Sequence, residues 1–378
     1  MNLPFADTLL RLFVRHQSRR DPVRPIEKWR PEAAQRILLV LTTGLGDAIL
    51  SCPVFSSLRK ALPKADIRLF CRAAWAPLFD NDPALNGVIR YQGKYRHFLA
   101  TVAALREFAP DTCVVLHGND PDILPLAYLC GSRFIARIPT SGTKFPFLLS
   151  NAGRAEDRGT IPGWHYIENR LRILATLGIP AVSSEPVIHI AQAACEAMAA
   201  RLAARLEGKP YWVLHAFSAD AYKVWPVDKA AELIREACRQ FPDHAVLLTG
   251  SSSDRPRLEA LIDAEQGTVI NVAGEFNIAD TAACLANAKC VVAPDTGVLH
   301  LAAALGVPVV GLYAPTSAAL VGPRSARTVP IVIQKPQTCD PCLDKRCPYT
   351  PKNCMDQIGV DEVLAGVTSS LAKTSKAA

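Results

Sequence analysis

From Ile37 onward, short apolar runs alternate with stretches of helical periodicity, and this alternation runs through once, breaks, and starts again. No other feature constrains the fold more. A run such as Ile37-Leu38-Leu39-Val40-Leu41 has no polar side, so a strand made of it must be covered on both faces. Helices returning between successive strands give that cover, and the product is a parallel sheet with crossover helices. In the first round, strands are predicted at residues 37–41, 67–71, 88–91 and 112–116. A tight loop at 42–46 leads into a helix over 47–61 that carries Ile49, Val54 and Leu58, and further helices are predicted at 98–108 and 121–130. The second round predicts strands at 211–216, 245–249, 268–272, 290–293 and 309–313, with helices at 227–240 and 254–264.

The predicted architecture is therefore α/β, with two Rossmann-like domains facing each other across a cleft. The first domain is assigned residues 36–190 and the second 191–358, with the joint inside 178–210, where a Pro/Ser-rich piece meets an Ala-rich helix. Residues 1–35 form a basic amphipathic extension, and 359–378 a C-terminal helix and tail. At 378 residues, 49% apolar and 20% charged, the chain can fill two cores. Ligands of open parallel sheets bind beyond the carboxyl ends of the strands, which is where the site is expected.

The net charge of +7 points to an anionic partner: nucleic acid, anionic lipid or a phosphorylated small molecule. Nucleic acid is disfavoured, because the basic excess gathers near the N-terminus and no aromatic-basic platform accompanies it. Residues 11–36 hold eight basic and three acidic side chains. Just before and within them, Leu3, Phe5, Leu9, Leu10, Leu12, Phe13 and Val14 line one helical face. Two readings stand: an interfacial helix with a basic patch on an anionic membrane, or a helix docked on the first domain. The start has no signal-peptide pattern and no apolar run reaches membrane-spanning length, so a cytoplasmic location is expected. There, most of the twelve cysteines, such as Cys52, Cys71, Cys113 and Cys290, are small core residues.

The strongest motif is Pro294-Asp295-Thr296-Gly297-Val298-Leu299-His300, which runs on through an apolar helix to Pro308. It leaves a buried strand and opens a helix, the geometry in which free backbone N–H groups bind a pyrophosphate. Thr296 is placed to cap and to hydrogen-bond phosphate, Gly297 to permit close approach, and His300 to lie in the first turn near the same phosphate. Asp295 takes a ribose hydroxyl or holds the loop. In the first domain, Gly44-Leu45-Gly46-Asp47 leaves room for a ligand and sets a carboxylate at a helix start, which without further support is an ordinary stabilising charge. No Gly-x-Gly-x-x-Gly follows the first strand, since Ile49 stands where the third glycine belongs, and a dinucleotide dehydrogenase is disfavoured. Gly250-Ser251-Ser252-Ser253-Asp254-Arg255 either lines a base or ribose pocket or caps a helix.

The stretch from Asp295 to Thr316, the Gly44–Leu50 loop with Pro53, Leu58, Arg59 and Pro63, and Lys223-Val224-Trp225-Pro226 together resemble glycosyltransferase family 9, the ADP-heptose:lipopolysaccharide heptosyltransferases. The similarity runs in order over residues 36–363. The resemblance implies a GT-B fold and inverting, metal-independent transfer from an ADP-sugar donor to an anionic glycolipid acceptor, with peripheral contact at the cytoplasmic face of the inner membrane. It implies that Asp47 is the general base beside acceptor-side Gly44 and Gly46. Lys223, Ser218, Asp295, Thr296, Gly297 and His300 then serve the donor. Another nucleotide-sugar, an epimerase of related fold, or a non-catalytic nucleotide-sugar-binding protein remain alternatives. The spacing Cys339-x2-Cys342-x4-Cys347-x6-Cys354 resembles a structural zinc knuckle, against which stand reduced thiols or redox pairs.

Overall fold

The computed structural model describes residues 3–140, 142–262, 267–339, 342–349 and 354–375. The far end of the helix expected over 254–264 and the side chains of Leu3 and Phe5 lie outside the described residues. The chain divides into two compact units, Met1–Ser184 and Glu185–Ala378.

Unit one opens with helix α1 (Leu3–Arg20), followed by strand β1 (Arg36–Leu41). Helices α2 (Leu45–Ile49) and α3 (Pro53–Ala61) lead to β2 (Asp66–Arg72) and β3 (Gly87–Tyr91). Then come α4 (Phe98–Phe108), β4 (Thr112–His117), α5 (Ile123–Leu129), β5 (Phe134–Arg137) and α6 (Tyr166–Thr176). The expected single helix over 47–61 is two helices. Pro53 has no N–H to continue the ladder and instead starts α3 as its first residue. All strand pairs are parallel, in the order β3-β2-β1-β4-β5. The sheet core holds Leu38, Val40, Phe70, Cys113 and Ile135, and Val14 of α1 is fully buried in the same cluster. α1 is thus docked on its domain.

Unit two runs α7 (Gln192–Leu206), β6 (Tyr211–Leu214), α8 (Val227–Gln240), β7 (Ala245–Leu248), α9 (Arg255–Glu259), β8 (Val269–Asn271) and α10 (Ile278–Ala286). It continues through β9 (Val291–Pro294), α11 (Gly297–Ala304), β10 (Val309–Tyr313), α12 (Ala318–Val321), β11 (Ile331–Gln334) and α13 (Val360–Ser375). The sheet is again parallel, ordered β11-β10-β9-β6-β7-β8. Read from the other edge, this is the strand order of a dinucleotide-binding sheet, with its reversal between β6 and β9. In unit one the reversal falls between β1 and β4. Both reversals create a crevice at the carboxyl ends of their central strands, and the candidate residues follow those strands. Among the described residues, no helix is long and apolar enough to cross a membrane.

Candidate active site

The first cluster builds on β1 and β4. Gly44 occupies the N-cap position of α2, and Asp47 is its third residue. The pairing register of β1 against β4 shifts between Val40 and Leu41, which brings His117 opposite Leu41. Such an irregularity re-aims the end of a strand beside a site. Gly118 follows at once, and a Cβ there would sit 2.5 Å from the Thr42 Oγ1, so any larger residue would have to displace the Thr42 side chain.

Asp47 is held from two directions. Thr43 Oγ1 donates to its Oδ2 at 3.0 Å, and the Arg170 guanidinium of α6 donates to its Oδ1. The Arg170 side chain is only 7% exposed, whereas that of Asp47 is 34% exposed and open to a ligand. Burial pushes the Asp47 carboxyl up, but the charges of Arg170 and His117 and the two hydrogen bonds outweigh it, leaving it below the usual carboxylate range. Burial pulls the His117 imidazole down to about 4, so it is neutral near pH 7. Its Nδ1 is buried without a hydrogen-bond partner. Beside Gly44 lies a cavity of about 380 Å³ with Thr43, Arg72, Trp75 and Asp120 in its wall. Arg72 donates to the Thr42 carbonyl at 2.9 Å and to Asp120 at 3.1 Å, and Trp75 Nε1 donates to the Thr43 carbonyl at 3.0 Å. The loop that carries Asp47 is therefore tied from outside.

The second cluster builds on β6 and β9. Lys223 ends a short 3-10 turn after β6, and its Nζ donates to Asp295 Oδ2 at 2.8 Å. Asp295 follows β9; its Oδ1 lies 3.4 Å from His300 Nε2 and accepts from Tyr313 Oη at 3.4 Å. Burial pushes the Asp295 carboxyl up, yet His300 and Lys223 hold it well below the usual range, so it stays ionised. Of the two roles open to Asp295, holding the loop is the one its contacts fill.

Thr296 stands at the N-cap of α11 with no side-chain cap bond, contrary to the expected capping role, and Gly297 is the first helical residue. Thr296 Oγ1, His300 Nδ1 and Thr316 Oγ1 are buried without partners. Orphaned polar atoms are costly in an interior, and the two at this helix start, on Thr296 and His300, mark a place for a hydrogen-bonding ligand. Ser218, in the loop after β6, accepts from the Asp220 N–H at 3.2 Å. In the Gly250–Arg255 loop the Asp254 carboxylate accepts from Ser251 N at 2.9 Å, an internal turn that accounts for the Asp without a ligand.

His117, Arg170, Arg72 and Gly118 were not singled out from the sequence. His117 was within reach, since it ends a strand at the switch point. Arg170 was not, because no spacing links it to Asp47. Cys339, Cys342, Cys347 and Cys354 are all free thiols. Among the described residues, no group of three or more His, Cys, Asp or Glu is arranged to hold a metal ion.

Two parallel sheets of Rossmann order, each with its polar cluster at the strand-order reversal, define an α/β protein of the GT-B type. Two solved structures share the fold. The glycosyl transferase family 9 structure from Veillonella parvula matches with a TM-score of 0.72 at 20% identity, over 90% of this chain and 97% of that one. The E. coli ADP-heptose LPS heptosyltransferase II matches with a TM-score of 0.70 at 20% identity, over 90% and 100%. Lipopolysaccharide heptosyltransferase 1 of Pseudomonas aeruginosa is 28% identical over 335 residues, 84% of this chain and 88% of that protein. Residues 158–353, just over half the chain, match the family described as Glycosyltransferase family 9 (heptosyltransferase). The chain belongs to that family and is a glycosyltransferase.

Proposed function

We propose that the protein is an inverting transferase that moves a heptosyl group from ADP-heptose to the inner core of lipopolysaccharide. The observation that carries this reading is the start of α11, where Thr296 and His300 present unpartnered buried polar atoms beside the Lys223–Asp295 pair. A diphosphate at that helix start accepts from Thr296 Oγ1 and the backbone N–H groups from Gly297 onward, and takes its counter-charge from Lys223. Asp295 holds Lys223 and His300 in place before the donor arrives. Ser218 supplies a further hydroxyl from the loop after β6.

Asp47 is the general base. The acceptor hydroxyl attacks the anomeric carbon, its proton passes to Asp47, and the bond to the nucleoside diphosphate breaks on the opposite side, so the configuration inverts. A carboxylate with lowered pKa takes that proton late, as the oxygen acidifies on bonding to carbon. Positive charge from Lys223 and the helix start favours departure of the diphosphate, so the transfer needs no metal ion. The acceptor is an anionic glycolipid, which suits the basic chain, and the place of action is the cytoplasmic face of the inner membrane.

The test is transfer by the purified protein from ADP-heptose to a heptose-deficient lipopolysaccharide core, beside Asp47→Ala. Product from the wild type that disappears in the variant supports both the reaction and the base. A wild type that binds the donor tightly and forms no product sinks the assignment of sugar or acceptor.

A further inference from the structure

Helix α1 has two apolar faces, and only one of them is used. Val14 is fully buried, and Leu10 packs against the same core. Asp7 on that side pairs with Lys144 at 2.8 Å and accepts from Tyr95. On the other side Leu9, Leu12 and Phe13 are 51%, 62% and 50% exposed. Their spacing of three and four residues puts them in one stripe. Arg11, Arg15, Arg19 and Arg20 are exposed along the same helix, and its one acid is the inward Asp7. Arg15 leans over the Phe147 ring, while the last turn carries Arg19 and Arg20.

The stripe borders a basin. Phe13 forms part of the wall of a cavity of about 560 Å³ that also includes Asp21, Arg24, Arg106, Tyr128 and Arg133. Three guanidinium groups against one carboxylate give it a positive field. Arg24, Arg106 and Arg133 are all exposed. Large apolar side chains in water beside a surplus of arginines complement one kind of surface, an apolar layer edged with phosphates.

We propose that this face of α1 docks the protein on a bilayer containing anionic phospholipid. Leu9, Leu12 and Phe13 enter the boundary between headgroups and acyl chains, and the arginines, with the basin beside Phe13, meet headgroup phosphates. The inference rests on the proposed reaction only for its purpose, since a glycolipid acceptor lies in a membrane; lipid binding itself is read without any sugar transfer.

The experiment is co-sedimentation of the full chain with vesicles of phosphatidylcholine alone and of phosphatidylcholine mixed equally with phosphatidylglycerol. The wild type is expected to bind the anionic vesicles about tenfold or more tightly than the neutral ones, and less tightly as salt rises. Leu12→Asp combined with Phe13→Asp is expected to lose about tenfold or more in that binding, with an unchanged melting temperature because both positions are exposed. Arg11→Glu combined with Arg19→Glu loses binding to anionic vesicles only. The proposal is overturned by a wild type that stays in the supernatant with anionic vesicles, or by variants that bind as well as it does. It is also overturned if Leu12→Asp with Phe13→Asp converts a dimer to a monomer and vesicle binding is absent, which assigns the face to a second copy of this chain. Transfer to a delipidated, water-soluble acceptor separates the two readings: its absence beside intact vesicle binding removes the reaction and leaves the docking.

Discussion

The buried guanidinium of Arg170 donates to the carboxylate of Asp47, although 123 positions separate them in the chain. One is on helix α6, the other in the short turn of helix after β1. Arg170 fixes the direction of the carboxylate and, against the effect of burial, keeps it ionised.

Asp47→Asn keeps shape and removes basicity. Turnover is expected to fall by about 10²–10⁴, the usual contribution of a general base. Affinity for ADP, measured calorimetrically, is expected to stay within about twofold, because the proposed nucleotide contacts all belong to unit two. A comparable loss of ADP affinity would remove Asp47 from the role of base.

Arg170→Met takes away the charge that lowers the Asp47 pKa. Without it the burial effect is unopposed by Arg170, and the folded pKa of Asp47 rises. With Asp47 as the proposed base, activity requires its ionised form, so the acid limb of the kcat/KM profile is expected to move to higher pH. An unmoved limb with lower activity throughout would make Arg170 a purely structural residue.

Lys223→Ala and Asp295→Ala test the other cluster from both ends. The Lys223 change removes the proposed phosphate counter-charge, and ADP affinity is expected to fall about tenfold or more. The Asp295 change leaves Lys223 with only the more distant Asp220 carboxylate, 4.0 Å away, and His300 without its anchor, in an interior where both are largely buried. A stability loss of about 3 kcal/mol is expected there, together with weaker ADP binding. Equal stability of Asp295→Ala and wild type in urea melts would count against the clasp.

Gly118→Ala touches no reacting group. Its Cβ would press on Thr42, one residue from the Thr43 that bonds Asp47. A fall in kcat with ADP affinity unchanged is expected, and full activity would show that the approach of the strand ends is not needed.

Stability should respond to acid through two histidines. Burial lowers both His117 and His215 to about 4 in the folded state, while the unfolded chain titrates near 6.5. Between those values the unfolded chain binds more protons. Stability from these groups is therefore whole above about pH 6.5 and falls as pH drops toward 4. His215→Gln is expected to flatten the slope of unfolding free energy against pH in that window, and an unchanged slope would show that His215 does not carry it.

How much of this was written in the sequence depends on the element. The helix over 227–240 was legible to the residue, because Ala230, Leu233, Ile234 and Ala237 form one buried face. The central strands were legible because they are apolar throughout. β11 was missed: it is an edge strand whose burial alternates, and it has only four residues. α6 was missed because its start is unorthodox. His165 caps it by accepting from Ile167 N at 3.2 Å, while Glu168 accepts from His165 N at 2.8 Å. Histidine is not among the residues that announce a helix start. With α6 unseen, Arg170 had no address. Asp295, Thr296, Gly297 and His300 could be read together because strand, turn and helix follow one another in a single stretch, whereas the Asp47 environment is assembled from four separate segments.

The placement of both clusters on turns that leave the ends of parallel strands has an evolutionary reading. The ladders that hold each sheet together run through β1, β4, β6 and β9 and end at or just before the clustered side chains, with His117 as the last rung of β4. A lineage can therefore exchange residues in these turns, altering which sugar is taken or where it is attached, while the hydrogen-bonded scaffold is inherited intact. Diversity of product and constancy of fold are then two results of the same division of labour along the chain.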